Sequence, residues 1–183
     1  MSTLKEYLVQ KREAGLKLQE HYEKHPESAV EPIKARVKAK GRSGVREIRI
    51  RDFQIISDSP ENFAGYSLGP TSPEIQLGVL GSCLTHITLI QASLLQISID
   101  SLEVEITGIQ NHLAGKEGFE DVPIYPHNIR YKLFIQSEES PETIAKLHEE
   151  VEKVCPILNL LKNPQQIEGE VIHTNQSSEK IRA

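Results

Sequence analysis

Tryptophan is absent from the sequence, methionine occurs once, and aromatic residues make up 5% of the 183 residues. So few rings provide no row of platforms on which single-stranded nucleic acid could stack. Positive charge is also in deficit. Against 26 Asp and Glu stand 21 Lys and Arg, a formal charge of -5, which works against general attraction to phosphate backbones or anionic lipid. The histidines are scattered at His21, His25, His86, His112, His127, His148 and His173, none at metal-ligand spacing from the others. Gly115-Lys116-Glu117-Gly118 follows no apolar strand, so it is not a phosphate loop. The expectation is no nucleic acid, no membrane, and no metal or other cofactor.

Long uninterrupted apolar runs are missing too. The nearest, Ile75 to Ile97, contains Gln76, Ser82, Thr85, His86, Thr88, Gln91, Ser93 and Gln96. Those groups are costly in hydrocarbon, so the segment reads as a buried helix and not a membrane span. The stretch Met1 to Lys24 is rich in Lys and Glu and lacks the apolar core of a secretory leader. With only Cys83 and Cys155 in the chain, the expected compartment is the cytoplasm. There the two thiols are reduced, not held in a standing structural disulfide.

What is present patterns an α+β domain. Leu4, Tyr7, Leu8, Leu18 and Tyr22 form an interrupted stripe over residues 3–25, an amphipathic helical arm that ends at His25-Pro26. From Ile33 the period becomes two. Ile33, Ala35, Val37 and Ala39 alternate with basic residues, Gly41-Arg42-Ser43-Gly44 supplies a turn, and Val45 to Arg51 alternates again, which predicts a hairpin with a wet basic face. Residues 57–73 read as a loop, and Pro73-Glu74 opens the long helix, whose positions Leu80, Cys83, Leu84, Ile87, Ile90 and Leu94 keep the helical period. A helix apolar on nearly all sides is expected to be central.

A second hairpin pairs Leu102, Val104 and Ile106 with Ile129, Tyr131, Leu133 and Ile135 across a long polar connection, its outer faces acidic on one strand and basic on the other. Ser140-Pro141-Glu142 starts another helix with a buried stripe of Ile144, Leu147, Val151 and Val154. Cys155-Pro156 breaks it and opens a short helix through Leu161; Gln166 to Ile172 reads as a last strand, and a polar tail follows. The domain reading is an arm over 1–29, one domain over 30–175 and a tail over 176–183.

Taken by position, each cysteine could be a small buried hydrophobe. Cys155 precedes a proline that opens a helix, where backbone N–H groups favour an anion, and Cys83 follows Gly81-Ser82. Two motifs in order carry more. Gly69-Pro70-Thr71-Ser72-Pro73-Glu74, Leu77 and Leu80-Gly81-Ser82-Cys83 form the first, and Val154-Cys155-Pro156-Ile157 the second. Over roughly residues 30–173 this pattern resembles the OsmC/Ohr family.

That resemblance implies antiparallel sheets around a buried central helix in an intertwined homodimer whose subunits both contribute to each site. It implies a thiol peroxidase of the stress-response kind, acting on organic hydroperoxides and recycled by an external thiol reductant. In it Cys83 attacks, Cys155 resolves, Glu74 is the carboxylate at the helix start, and Arg42 is the arginine of the first hairpin turn, with Arg46 the alternative. A guanidinium held by Glu74 would favour the Cys83 thiolate. Two other readings stay open: a cysteine hydrolase using His86 as base, and a non-enzymatic dimer binding an apolar small molecule.

Overall fold

The computed structural model describes residues 3–41 and 43–173. Helix α1 (Leu4–Lys24) starts at a capping box, Thr3 with Glu6. Strands β1 (Arg36–Ala39), β2 (Arg46–Ile50) and β3 (Phe53–Ser57) form one antiparallel sheet in that order. Helix α2 (Ser72–Leu95) follows, then β4 (Ser101–Ile109) and β5 (His127–Gln136) as a two-stranded antiparallel sheet, then α3 (Pro141–Val154) and α4 (Pro156–Lys162).

Helix α2 is the centre of the packing, since α1, β4, α3 and α4 all lie against it. It is long and apolar enough to cross a bilayer; here that apolarity serves the core. Leu80, Leu84, Thr88 and Ala92 repeat every fourth residue and are essentially sealed from solvent, as are Ile99, Leu147, Val151 and Cys155. Thr88 tolerates this burial because its hydroxyl donates back to the Leu84 carbonyl, 2.8 Å away. The opposite side of α2 leaves Gly78, Val79, Ser82 and His86 exposed. Within one chain, therefore, the central helix is covered over part of its girth.

The hairpin β4–β5 shows the alternation its sequence predicts, with inward Leu102, Val104, Ile106, Ile129, Tyr131 and Ile135 packed on the core. Glu105 lies opposite Lys132 with 3.9 Å between charged atoms, the one acidic–basic rung of the ladder that forms an ion pair. Ser140 caps α3 by accepting from the Thr143 N–H. The expected α3 stripe is buried at Leu147 and Val151, but Val154 is 48% exposed because the helix turns away at Cys155. The amino-terminal arm docks on its own chain: Leu8 enters the core, and Lys5 pairs with Asp100 at 3.0 Å.

Two expectations need correction. The first hairpin has a third strand, because the chain reverses at Arg51-Asp52 and pairs Phe53–Ser57 with β2. Arg51 takes a left-handed conformation there (φ 53°), a role that turn-forming glycine usually advertises in sequence and here does not. The last strand predicted over Gln166 to Ile172 does not form. Ile167 and Val171 are more than 90% exposed, and among the described residues no strand offers them a ladder partner. The tail beyond residue 173 lies outside the described residues.

Candidate active site

Residues 72 apart in sequence meet at the centre of the fold. Cys83 sits on α2 between the buried positions Leu80 and Leu84. Cys155 is at once the last cap of α3 and the first of α4. Proline at 156 cannot continue α3's hydrogen bonding, so the helix ends and restarts at a new angle with Cys155 in extended conformation at the joint. Asn159 secures that joint: its side-chain amide donates to the carbonyls of Cys155 (2.9 Å), Glu152 (3.1 Å) and Lys153 (3.3 Å).

The two sulfurs are 3.5 Å apart, with the Cys155 thiol donating to Cys83 Sγ. Both are free thiols. A disulfide needs sulfurs near 2.05 Å, so closing the bond requires a movement of roughly 1.5 Å and no rearrangement of the fold. The pair is asymmetric. Cys155 is fully buried, and that burial pushes its thiol pKa up; the N–H groups of Leu158 and Ile157 at the start of α4 oppose the shift without cancelling it. Cys83 accepts the hydrogen bond and retains access to solvent.

Glu74 stands nine residues before Cys83 on the same helix, about 13 Å along the axis. Its carboxylate accepts from the Thr71 hydroxyl and the Thr71 N–H, both at 2.7 Å, and these bonds hold its pKa below the usual carboxylate range. Instead of gripping an arginine, Glu74 closes a capping box on α2. Arg42 lies outside the described residues. The alternative, Arg46, lines the same cleft as Glu74, a space of about 950 Å³ whose walls include Leu77, Phe63, His112 and Lys116. The Arg46 guanidinium donates to the Gly44 carbonyl (2.8 Å) and the Ser57 hydroxyl (2.9 Å), while its buried Nε has no partner. In one chain, then, the predicted site residues fall into two groups: the cysteine pair, and a cleft with Glu74 and Arg46.

Asp58 shapes that cleft and is easily overlooked as one acid in a loop. It is fully buried, and its carboxylate accepts from the N–H groups of Ser59 (2.8 Å), Tyr66 (2.9 Å) and Leu68 (3.2 Å). Burial alone would raise its pKa, but those donors and Arg46 outweigh it and hold the carboxyl low. His86 is exposed one turn past Cys83, its pKa pushed down by partial burial and the Lys11 charge, and among the described residues no hydrogen bond joins it to Cys83. No group of three or more metal-ligating side chains assembles among the described residues.

A polar cluster beside Cys155 also goes unannounced by motif. The Tyr131 hydroxyl donates to Glu152 Oε1 and lies 2.7 Å from His148 Nε2. The available signal was weak: one hydroxyl on the inward face of β5, and a His and Glu four apart on α3.

The family model for OsmC-like proteins matches residues 65–170, which contain both cysteines, Glu74 and the Tyr131 cluster. No curated protein matches the chain. Among solved structures, an OsmC-like protein from Mycoplasma pneumoniae superposes with a TM-score of 0.63 at 20% identity, covering 72% of this chain and 88% of that one. An OsmC-like protein from Vibrio cholerae gives 0.55 at 14%, covering 71% and 93%. An organic hydroperoxide resistance protein from Legionella pneumophila gives 0.51 at 14%, covering 73% and 90%. At such identities the superpositions speak for the fold, an α+β arrangement of antiparallel sheets and helices. The family match spans more than half the sequence, and this chain belongs to the OsmC-like protein family.

Proposed function

We propose that this chain is a thiol-dependent peroxidase that reduces organic hydroperoxides in the cytoplasm. The observation that carries the reading is the 3.5 Å approach of a buried, protonated Cys155 to a more accessible Cys83. The Cys83 thiolate attacks the outer oxygen of the O–O bond; the bond breaks, the alkoxide takes a proton and leaves as alcohol, and Cys83 becomes a sulfenic acid. Cys155 then attacks that sulfur, its thiol proton leaves with the sulfenic hydroxyl as water, and a disulfide forms. Two equivalents of an external thiol restore the pair. The apolar surroundings of Cys83 favour organic over hydrogen peroxide, and a relative of the same fold carries the name organic hydroperoxide resistance protein.

The active form we propose is a homodimer. Glu74 is too far along α2 to serve the cysteine pair of its own chain, and Arg46 of β2 lines the cleft of Glu74, so a second copy would bring its Glu74 and arginine to Cys83. The half-exposed side of α2 and the uncovered β1–β3 sheet support that arrangement.

Mass spectrometry of the fully reduced protein, before and after one equivalent of cumene hydroperoxide, tests the reading. A Cys83–Cys155 disulfide within seconds, abolished in Cys83→Ser, is the expected result. Two intact thiols after minutes would overturn it in favour of a small-molecule-binding role.

A further inference from the structure

We propose that Tyr131, His148, Glu152 and Lys162 form a clamp that neutralises a carboxylate beside Cys155 and so sets how readily this second thiol gives up its proton. The inference deepens the peroxidase reading and rests on it for its functional meaning. The argument starts with position. Glu152 precedes Cys155 by three residues on α3, hence lies nearly on the same helix face. A free carboxylate there opposes formation of a second negative charge on the thiol.

The structure does not leave it free. A strand from the other side of the core delivers a hydroxyl: past His127 at its start, the half-buried positions of β5 are Ile129, Tyr131, Leu133 and Ile135, and the Tyr131 phenol is the single polar group among these four. A half-buried phenol needs a partner, and this one donates to Glu152 Oε1 while accepting or donating at His148 Nε2, 2.7 Å away. Lys162, from the last turn of α4, reaches Glu152 at 3.6 Å, and His148 Nε2 lies 4.0 Å from it. Glu152 is thus gripped from β5, α3 and α4, the last two of which join at Cys155.

The energetics are consistent. The Tyr131 hydrogen bond, aided by Lys162 and His148, holds the Glu152 pKa below the usual range despite partial burial. Tyr131 is pushed well above its ordinary pKa, by burial first and then by Glu152, so it remains a donor; a charge on Cys155 would push it further. Cys155 itself meets Cys83 from α2, with His86 a turn beyond, and acts electrostatically on the Tyr131 phenol of β5; His148 and Glu152 of α3 and Lys162 of α4 gather around that phenol and the Glu152 carboxylate. Tyr131, His148, Glu152 and Lys162 act through Cys155; they are positioning residues, since none touches Cys83.

The test exploits sign. In a Cys83→Ser background with ¹³Cβ-labelled cysteine, the NMR shift of Cys155 is followed against pH. Glu152→Gln removes the carboxylate and lowers the Cys155 midpoint by about one unit. Tyr131→Phe and Lys162→Gln leave the carboxylate and remove its partners, so each raises the midpoint by roughly half a unit. Opposite shifts in variants whose amide spectra match the parent support the clamp. Shifts in one direction, or none, overturn it, and if Tyr131→Phe does not fold, the surface variant Lys162→Gln against Glu152→Gln decides. No peroxide enters the titration, so its result and that of the cumene hydroperoxide experiment stand separately.

Discussion

The hairpin β4–β5 lays β4 against α2, whereas among the described residues no helix is laid across the β1–β3 sheet. Both sheets contain strands that alternate apolar with charged residues. In the first, Leu102, Val104, Ile106, Ile129, Tyr131 and Ile135 pack on the core; in the second, Val37 is 57% exposed, Phe53 64% and Ile55 40%. Alternation specifies that a face will be buried, and says nothing about which chain supplies the cover. The contrast is the physical reason for proposing a second copy. It also explains why the loop from Ser57 to Pro70 is so firmly built: it carries the uncovered sheet to the amino-terminal end of α2, and Asp58 holds it by three backbone N–H groups.

The largest effect should come from the covered side. Leu84→Ala removes a fully buried side chain of the central helix and should cost about 2–5 kcal/mol in denaturant unfolding. A comparable substitution in a truly wet sheet costs within about 0.5 kcal/mol. Ile55→Asp therefore asks the sharper question. With a second copy over β1–β3, light scattering should show the wild type as a dimer and the variant shifted to monomer. Its unfolding midpoint should also lose the dependence on protein concentration that a dimer displays. A wild type that is monomeric at every concentration would break the comparison, making the sheet a solvated surface.

The joint between the two regions should be sensitive to acid. The folded-state pKa of Asp58 lies below its ordinary value, so its contribution to stability is present above that ordinary value and is lost as pH falls through the folded one. Asp58→Asn should lower the thermal midpoint at neutral pH, and the gap to wild type should narrow on acidification below about pH 4. Scanning calorimetry across that range reads the difference directly. Smallest of all, Lys132→Ala removes the exposed rung with Glu105 and should change stability by less than about 1 kcal/mol, an effect that added salt diminishes.

Several elements were legible because a single local rule governs each. The helical period over α2, the Ser140 cap, the alternation of β4 and β5 and the break at Cys155-Pro156 each follow from residues a few positions apart. Strand β3 escaped because its turn, Arg51-Asp52, carries no glycine or asparagine, and the left-handed residue is an arginine. The strand predicted over Gln166 to Ile172 failed for the opposite reason: its pattern was adequate, but a strand exists only where a neighbour offers hydrogen bonds. The Tyr131–His148–Glu152 cluster joins β5 to α3 across the core, and no spacing within either element announces a partner in the other.

At the candidate site the same division holds. Sequence by itself determined that two cysteines would stand in defined local settings, one inside a central helix and one at a proline-broken joint. It determined, too, the α+β class and the family, because motif order and periodicity are properties of the chain alone. Tertiary structure decided that the two sulfurs come within 3.5 Å, that Cys155 and not Cys83 is the sealed one, and that Glu74 caps its helix instead of holding an arginine. Distance and burial between segments 72 residues apart depend on how helices pack, and packing is a property of the whole core.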